Sequence, residues 1–206
     1  MTNQYSQSTL DRPWQVLLLG GPSGAGKSSV SYRLAQHFGV GLTEVDDFQV
    51  VLEKMTTPEH QPAIHYWRTH PEAAELPPEQ IRDLHLALCQ PLLPALEAVI
   101  ANHLESRTPV VLEGDFILPA LAVQTTFADQ LNNGRVRALF LVEPDEEQLV
   151  RNYALREPQE GPQIKRAQVS WHLGNWFQAE AGRYGLPVLP ARPWENGLER
   201  CLAALR

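Results

Sequence analysis

With 206 residues, 43% of them hydrophobic and 20% charged, the chain is long enough to bury a sizeable core and is ordinary for one globular domain. A net charge of −7 speaks against nucleic acid as partner, because a phosphate-backbone binder carries a basic stripe. Residues 1–13 are polar and lack the apolar run of a signal peptide, and no later stretch is expected to reach membrane-span length. Cys89 and Cys201 show no CxxC spacing, which excludes a disulfide framework or a zinc site and leaves a cytoplasmic protein with no membrane partner as the expectation.

In chain order, the first predicted strand is the apolar run Trp14–Gly20. Residues 21–28 follow as Gly-Pro-Ser-Gly-Ala-Gly-Lys-Ser, a complete G-x-x-x-x-G-K-[ST] phosphate-binding pattern. Val30, Leu34 and Phe38 then recur at helical spacing until Gly39 stops the helix. Strand, loop and helix together make a nucleoside triphosphate site. Glycines let the backbone at Gly21, Ser23, Gly24, Ala25 and Gly26 curl with its N–H groups inward, and the helix start around Lys27, Ser28 and Ser29 adds its positive end. Lys27 is the point charge for the β- and γ-phosphates, and the Ser28 hydroxyl is the Mg²⁺ ligand.

A second strand, Val40–Val45, ends at Asp46-Asp47-Phe48. Roughly sixty residues then separate Asp47 from Pro109, far beyond a short crossover. Ile81, Leu84 and Leu88 mark one amphipathic helix there, and Leu92, Leu93, Leu96, Val99, Ile100 and Leu104 mark another, with Pro91 and Pro94 at the junction. The further predicted strands are Pro109–Asp115, Val136–Val142 and Leu186–Leu189. A helix opens on the acidic turn at Asp145, and Glu195–Leu205 closes the chain. Strands alternating with helices predict a parallel α/β sheet covered on both faces. The core takes residues 14–49 and 108–206, about 50–107 form a helical insertion, and 1–13 are a tail.

Ligands collect at the carboxyl ends of such strands, where Asp46/Asp47, Glu113/Asp115 and Glu143/Asp145 fall. Glu113 ends an apolar strand and is the candidate metal-side carboxylate. Asp46 or Asp47 is the candidate base toward an acceptor hydroxyl. Glu143 and Asp145 precede a helix and read as caps. In the insertion, His65-Tyr66-Trp67-Arg68 and His70 form a polar-aromatic cluster that reads either as packing or, through Trp67 and Arg68, as acceptor contact. Trp171, His172, Trp176, Phe177 and Tyr184 read mainly as packing.

The phosphate loop, the Val45-Asp46-Asp47-Phe48 turn and Leu112-Glu113-Gly114 together resemble the small P-loop kinases, in particular the uridine kinase-like and nicotinamide riboside kinase-like groups. The run from Glu113 to Pro119 also resembles the corresponding segment of 2-phosphoglycerate kinases. The resemblance covers the core strands and little of residues 50–108. It implies a three-layer P-loop fold with five parallel strands in the order 2-3-1-4-5, an acceptor-binding insertion and a lid. It also implies ATP and Mg²⁺ as cofactors, and Asp46 facing the acceptor. At least one of Arg151, Arg156, Lys165 and Arg166 would close over the triphosphate, since guanidinium forks suit phosphoryl oxygens. Residues 190–194 would pass over the adenine, with Arg192 stacked on it. The implied activity is transfer of a phosphoryl group to a small metabolite; a toxin-like or antibiotic phosphotransferase and a nucleotide-dependent switch stand as alternatives. No Asn-Lys-x-Asp guanine-specificity motif is present.

Overall fold

The structure is a computed structural model that describes residues 12–206; residues 1–11, which hold most of the polar tail, lie outside it. The chain begins with β1 (Val16–Gly20), α1 (Lys27–Phe38) and β2 (Gly41–Glu44), followed by four helices, α2 (Asp46–Met55), α3 (Tyr66–Thr69), α4 (Pro78–Cys89) and α5 (Leu93–Ser106). It continues through β3 (Val110–Glu113), the short α6 (Pro119–Ala122), and a hairpin of β4 (Thr126–Phe127) and β5 (Gln130–Leu131). β6 (Val136–Val142), α7 (Glu146–Arg156), α8 (Ile164–Arg183), β7 (Val188–Pro190) and α9 (Gly197–Ala204) complete it.

The main sheet is parallel with the order β2-β3-β1-β6-β7, which is 2-3-1-4-5 when only its own five strands are counted. β1 is central because its side chains are apolar on both faces. Val16 and Leu18 pack with Ile100, Leu104 and Phe177 on one side, while Leu17 and Leu19 pack with Val30, Leu34 and Cys201 on the other. Period-two alternation in a doubly covered strand sends successive residues to opposite layers, so the run reads as continuously hydrophobic. The register pairs Leu19 with Glu113, which sets that carboxylate at the sheet's carboxyl end beside the loop after β1.

The two insertion helices expected from periodicity are α4 and α5, joined by a single 3-10 turn at Gln90–Leu92 that contains Pro91. One expectation needs correction here. The continuous helical run from Pro78 to Ser106 is long and apolar enough, by length and composition, to cross a membrane. Its buried residues explain the composition otherwise: Leu92, Leu96, Ile100 and Leu104 recur every four positions and join the sheet's core. Burial on one stripe is what a core-facing helix needs. The β4–β5 hairpin was not anticipated, because strands of two residues show no periodicity. The Asn132 side chain organises its exit, donating to the Gln124 carbonyl at 2.8 Å and accepting from the Val136 N–H at 2.9 Å.

Candidate active site

The glycine loop leaves β1 at Gly20 and enters α1 at Lys27 through Gly26, whose φ of 77° is left-handed and strained for any side chain. Lys27 is buried. Its Nζ donates to the Pro22 carbonyl at 3.1 Å and lies 3.6 Å from Glu113 Oε1. Ser28 Oγ donates to the other carboxylate oxygen, Glu113 Oε2, at 3.0 Å. The structure thus brings together all three residues expected at the metal and γ-phosphate. Burial pushes the Glu113 carboxyl above its ordinary range, while Lys27 and the Ser28 hydroxyl pull it down. A hydroxyl and a carboxylate side by side form an all-oxygen pair that fits a hard cation such as Mg²⁺.

Around this loop is a cavity of about 610 Å³ lined by Ser23, Gly24, Lys27, Ser28 and Ser29 together with Glu44, Asp46, Glu113 and Asp115. A second cavity, about 430 Å³, opens toward the insertion and is lined by Glu53, Trp67, His85 and Phe116 among others. Ser23, Asp46 and Asp115 line both. Asp46 is open to solvent by area, yet the cleft walls desolvate its carboxyl and push it up to about 6. The negative charge of Asp115 adds to the rise and Lys27 opposes it. Asp47 is exposed in the first turn of α2 and lines neither cavity.

The candidate cations divide. Arg156, on the last turn of α7, lines the larger cavity with Asn152 and Leu155, although its guanidinium now pairs with Glu157 at 2.8 Å. Arg151 turns away to Asp145 at 3.2 Å and Glu147 at 3.5 Å and lines neither cavity. Lys165 pairs with Glu75 at 3.5 Å, and Arg166 lines the smaller cavity while bound to Glu157 at 2.8 Å. Trp67 lines the smaller cavity; its neighbour Arg68 instead reaches the buried ring of His65, 2.9 Å from Nδ1, and lines neither.

Arg192, expected on the base, is held elsewhere. It grips the fully buried Glu143 through two bonds of 2.8 and 2.9 Å and reaches Asp145 at 3.3 Å. Glu143 is therefore an ion-pair partner more than a cap, whereas Asp145 does cap α7 by accepting from the Gln148 N–H. The loop that Arg192 anchors carries Trp194 onto the larger cavity. Sequence reasoning set the loop 190–194 over the adenine but chose Arg192 within it, although the indole of Trp194 was the other available signal. It also missed Asn152, whose amide donates to the Gly24 carbonyl at 2.9 Å, because an isolated Asn on a helix carries no pattern.

No known family's sequence profile matches the chain. It is similar to a curated protein named 2-phosphoglycerate kinase from Pyrococcus horikoshii, 43% identical over 51 residues, covering 24% of this chain and 17% of that one. It is also similar to a 2-phosphoglycerate kinase from Methanothermobacter thermautotrophicus, 23% identical over 186 residues, covering 84% of this chain and 60% of that one. The chain thus spans less than two thirds of the length of either relative. Among solved structures it resembles a gluconokinase from Sinorhizobium meliloti, with a TM-score of 0.55, 20% identity, and coverage of 94% of this chain and 93% of that one. The chain therefore has the three-layer fold found in small P-loop kinases.

Proposed function

We propose that the protein is a kinase that transfers the γ-phosphoryl group of ATP to a hydroxyl of a small molecule. The observation that carries this reading is the wall shared by the two cavities, where Ser23, Asp46 and Asp115 face a phosphate loop on one side and a separate chamber on the other. A nucleotide switch has no need of the second chamber. The names of the curated relatives and of the solved neighbour support the same class of chemistry.

In this reading the N–H groups of residues 21–28 and the start of α1 hold the β- and γ-phosphates, and Lys27 leaves the Pro22 carbonyl to join them. Ser28 and Glu113 hold Mg²⁺, which neutralises phosphate charge when bound. Asp46 orients the acceptor hydroxyl and takes its proton. The hydroxyl oxygen forms a bond to the γ-phosphorus as the bond to the bridging oxygen breaks, and ADP leaves with that electron pair. Arg156 exchanges Glu157 for the phosphoryl oxygens and helps exclude water. Trp194 offers its face to the base. The test is ADP release from purified protein with Mg-ATP, which is slow alone and accelerates with an acceptor that emerges phosphorylated. Fast hydrolysis indifferent to every acceptor would favour the switch.

A further inference from the structure

The smaller cavity holds more information about the acceptor than the relatives' names do. Three carboxylates line it, those of Asp46, Glu53 and Asp115, against one guanidinium, that of Arg166. Among the described residues none of those carboxylates takes part in an ion pair. Glu53 is half-buried on α2, and one of its oxygens accepts from the Gln49 amide at 2.9 Å. Arg166 is already committed: it binds Glu157 and Gln163, each at 2.8 Å, and its guanidinium sits 4.5 Å from the centre of the Tyr153 ring. The other cations of this region are engaged as well, Arg68 with His65, Arg82 with Asp83 and Lys165 with Glu75. The remaining basic lining group, His85, stacks on Phe116 with its Nε2 3.4 Å from the Asp115 carbonyl oxygen.

An anionic acceptor entering this chamber would meet three carboxylates against a single guanidinium that already pairs with Glu157. Like charges lining a cleft raise the free energy of the complex and select against that partner. A protonated amine meets the opposite situation, a free carboxylate oxygen on Glu53 and the half-buried indole of Trp67, both in the lining of the chamber. An ammonium over an indole face gains by cation–π attraction, more so when water is excluded.

We propose that the acceptor is a protonated amino alcohol, its ammonium held between Glu53 and Trp67 and its hydroxyl presented to Asp46 at the wall between the cavities. This rests on the kinase reading, and the transfer is unchanged: hydroxyl oxygen to γ-phosphorus, electron pair to ADP, proton to Asp46. It departs from the phosphorylated hydroxy acid for which the relatives are named and from the gluconate for which the solved neighbour is named.

The experiment uses the full chain with Mg-ATP and two charge-matched acceptor sets, serinol, glycerol and glycerate, and glucosamine, glucose and gluconate, with 2-phosphoglycerate alongside. Phosphorylated product is read by mass spectrometry. The expected result is product from an amine, with kcat/KM about tenfold or more above its neutral counterpart and no product from the anions. Glu53→Gln and, independently, Trp67→Leu raise the KM for the amine about tenfold and leave the KM for ATP unchanged, which also shows that each variant is folded. Preference for an anion, or equal use of neutral and amine acceptors, overturns the inference and leaves the kinase reading standing. Hydrolysis of ATP with no product from any charge class overturns both.

Discussion

The indole of Trp194 lies against Gly26, so close that a Cβ on the glycine would stand 2.5 Å from Cζ3. The loop after the last strand is thereby packed onto the last turn of the phosphate loop, and the two cannot move independently. Trp194→Ala is expected to raise the KM for ATP about tenfold, in line with roughly 1–3 kcal/mol for one base stacked on an aromatic ring, with little change in kcat. Quenching of indole fluorescence by nucleotide, absent in the variant, checks the contact. Equal ATP affinity in both proteins would remove Trp194 from the site.

The pairing of Lys27 and Ser28 with one carboxylate predicts separable defects. Lys27→Ala lowers turnover by at least about a hundredfold, since the ammonium stabilises charge that grows during transfer. It also leaves the buried Glu113 without its only ion-pair partner among the described residues, so a lower melting temperature accompanies the loss. Ser28→Ala raises the Mg²⁺ concentration needed for half-maximal rate and leaves metal-free nucleotide binding nearly unchanged. Titration of Mg²⁺ at fixed ATP distinguishes the two.

Asp46 supplies a pH signature. Its carboxyl rises from 3.8 to about 6 on folding, so between those values the native protein holds a proton that the unfolded chain has shed. Stability from this group is therefore greatest at low pH and declines as pH rises through the window. Activity runs the other way. kcat/KM is expected to climb through about pH 6 as the base ionises. Asp46→Asn abolishes that limb together with most turnover. Asp115→Asn moves the limb to lower pH, because the neighbouring charge that raises Asp46 is gone. Asp47→Asn leaves the profile intact, and a larger loss there than at Asp46 would shift the assignment by one residue.

Arg192 is expected to be a stability residue. Its guanidinium is the ion-pair partner of the fully buried Glu143, and Arg192→Ala strands that carboxylate. A fall of several degrees in melting temperature is expected, with a KM for ATP that changes less than in Trp194→Ala. The reverse ranking would restore Arg192 to the base.

The sheet and the phosphate loop were legible because both are local. β1 is hydrophobic on both faces, and the loop's glycines, lysine and serine are fixed by spacing alone. The expected fourth strand, Val136–Val142, coincides with β6 because every residue of the run except Arg137 is apolar and buried. What failed to show were choices made in three dimensions. Nothing local distinguishes Asp46 from Asp47; only the turn after β2 sends the first into the cleft and leaves the second on the helix surface. Arg151 and Arg156 look alike in sequence, but five residues on an α-helix turn them to different faces, one toward Asp145 and one toward the larger cavity. Trp194 rather than Arg192 lines the larger cavity because a buried glutamate 49 residues earlier in the chain claims the arginine.

α8 has twenty residues and so measures about 30 Å, roughly the width of the domain. Its far end is locked: Phe177 and Ala181 are fully buried against the sheet. Its near end carries Arg166 to the wall of the smaller cavity. Ala167, Ser170, Leu173 and Gly174 are buried as well, so the rod is held along its length and does not swing. The chamber is accordingly calibrated from a distance. Enlarging Ala181 would press on the same helix that carries Arg166, Val169, Ser170 and Leu173 into the lining of the smaller cavity, and so would retune a chamber that Ala181 itself does not line.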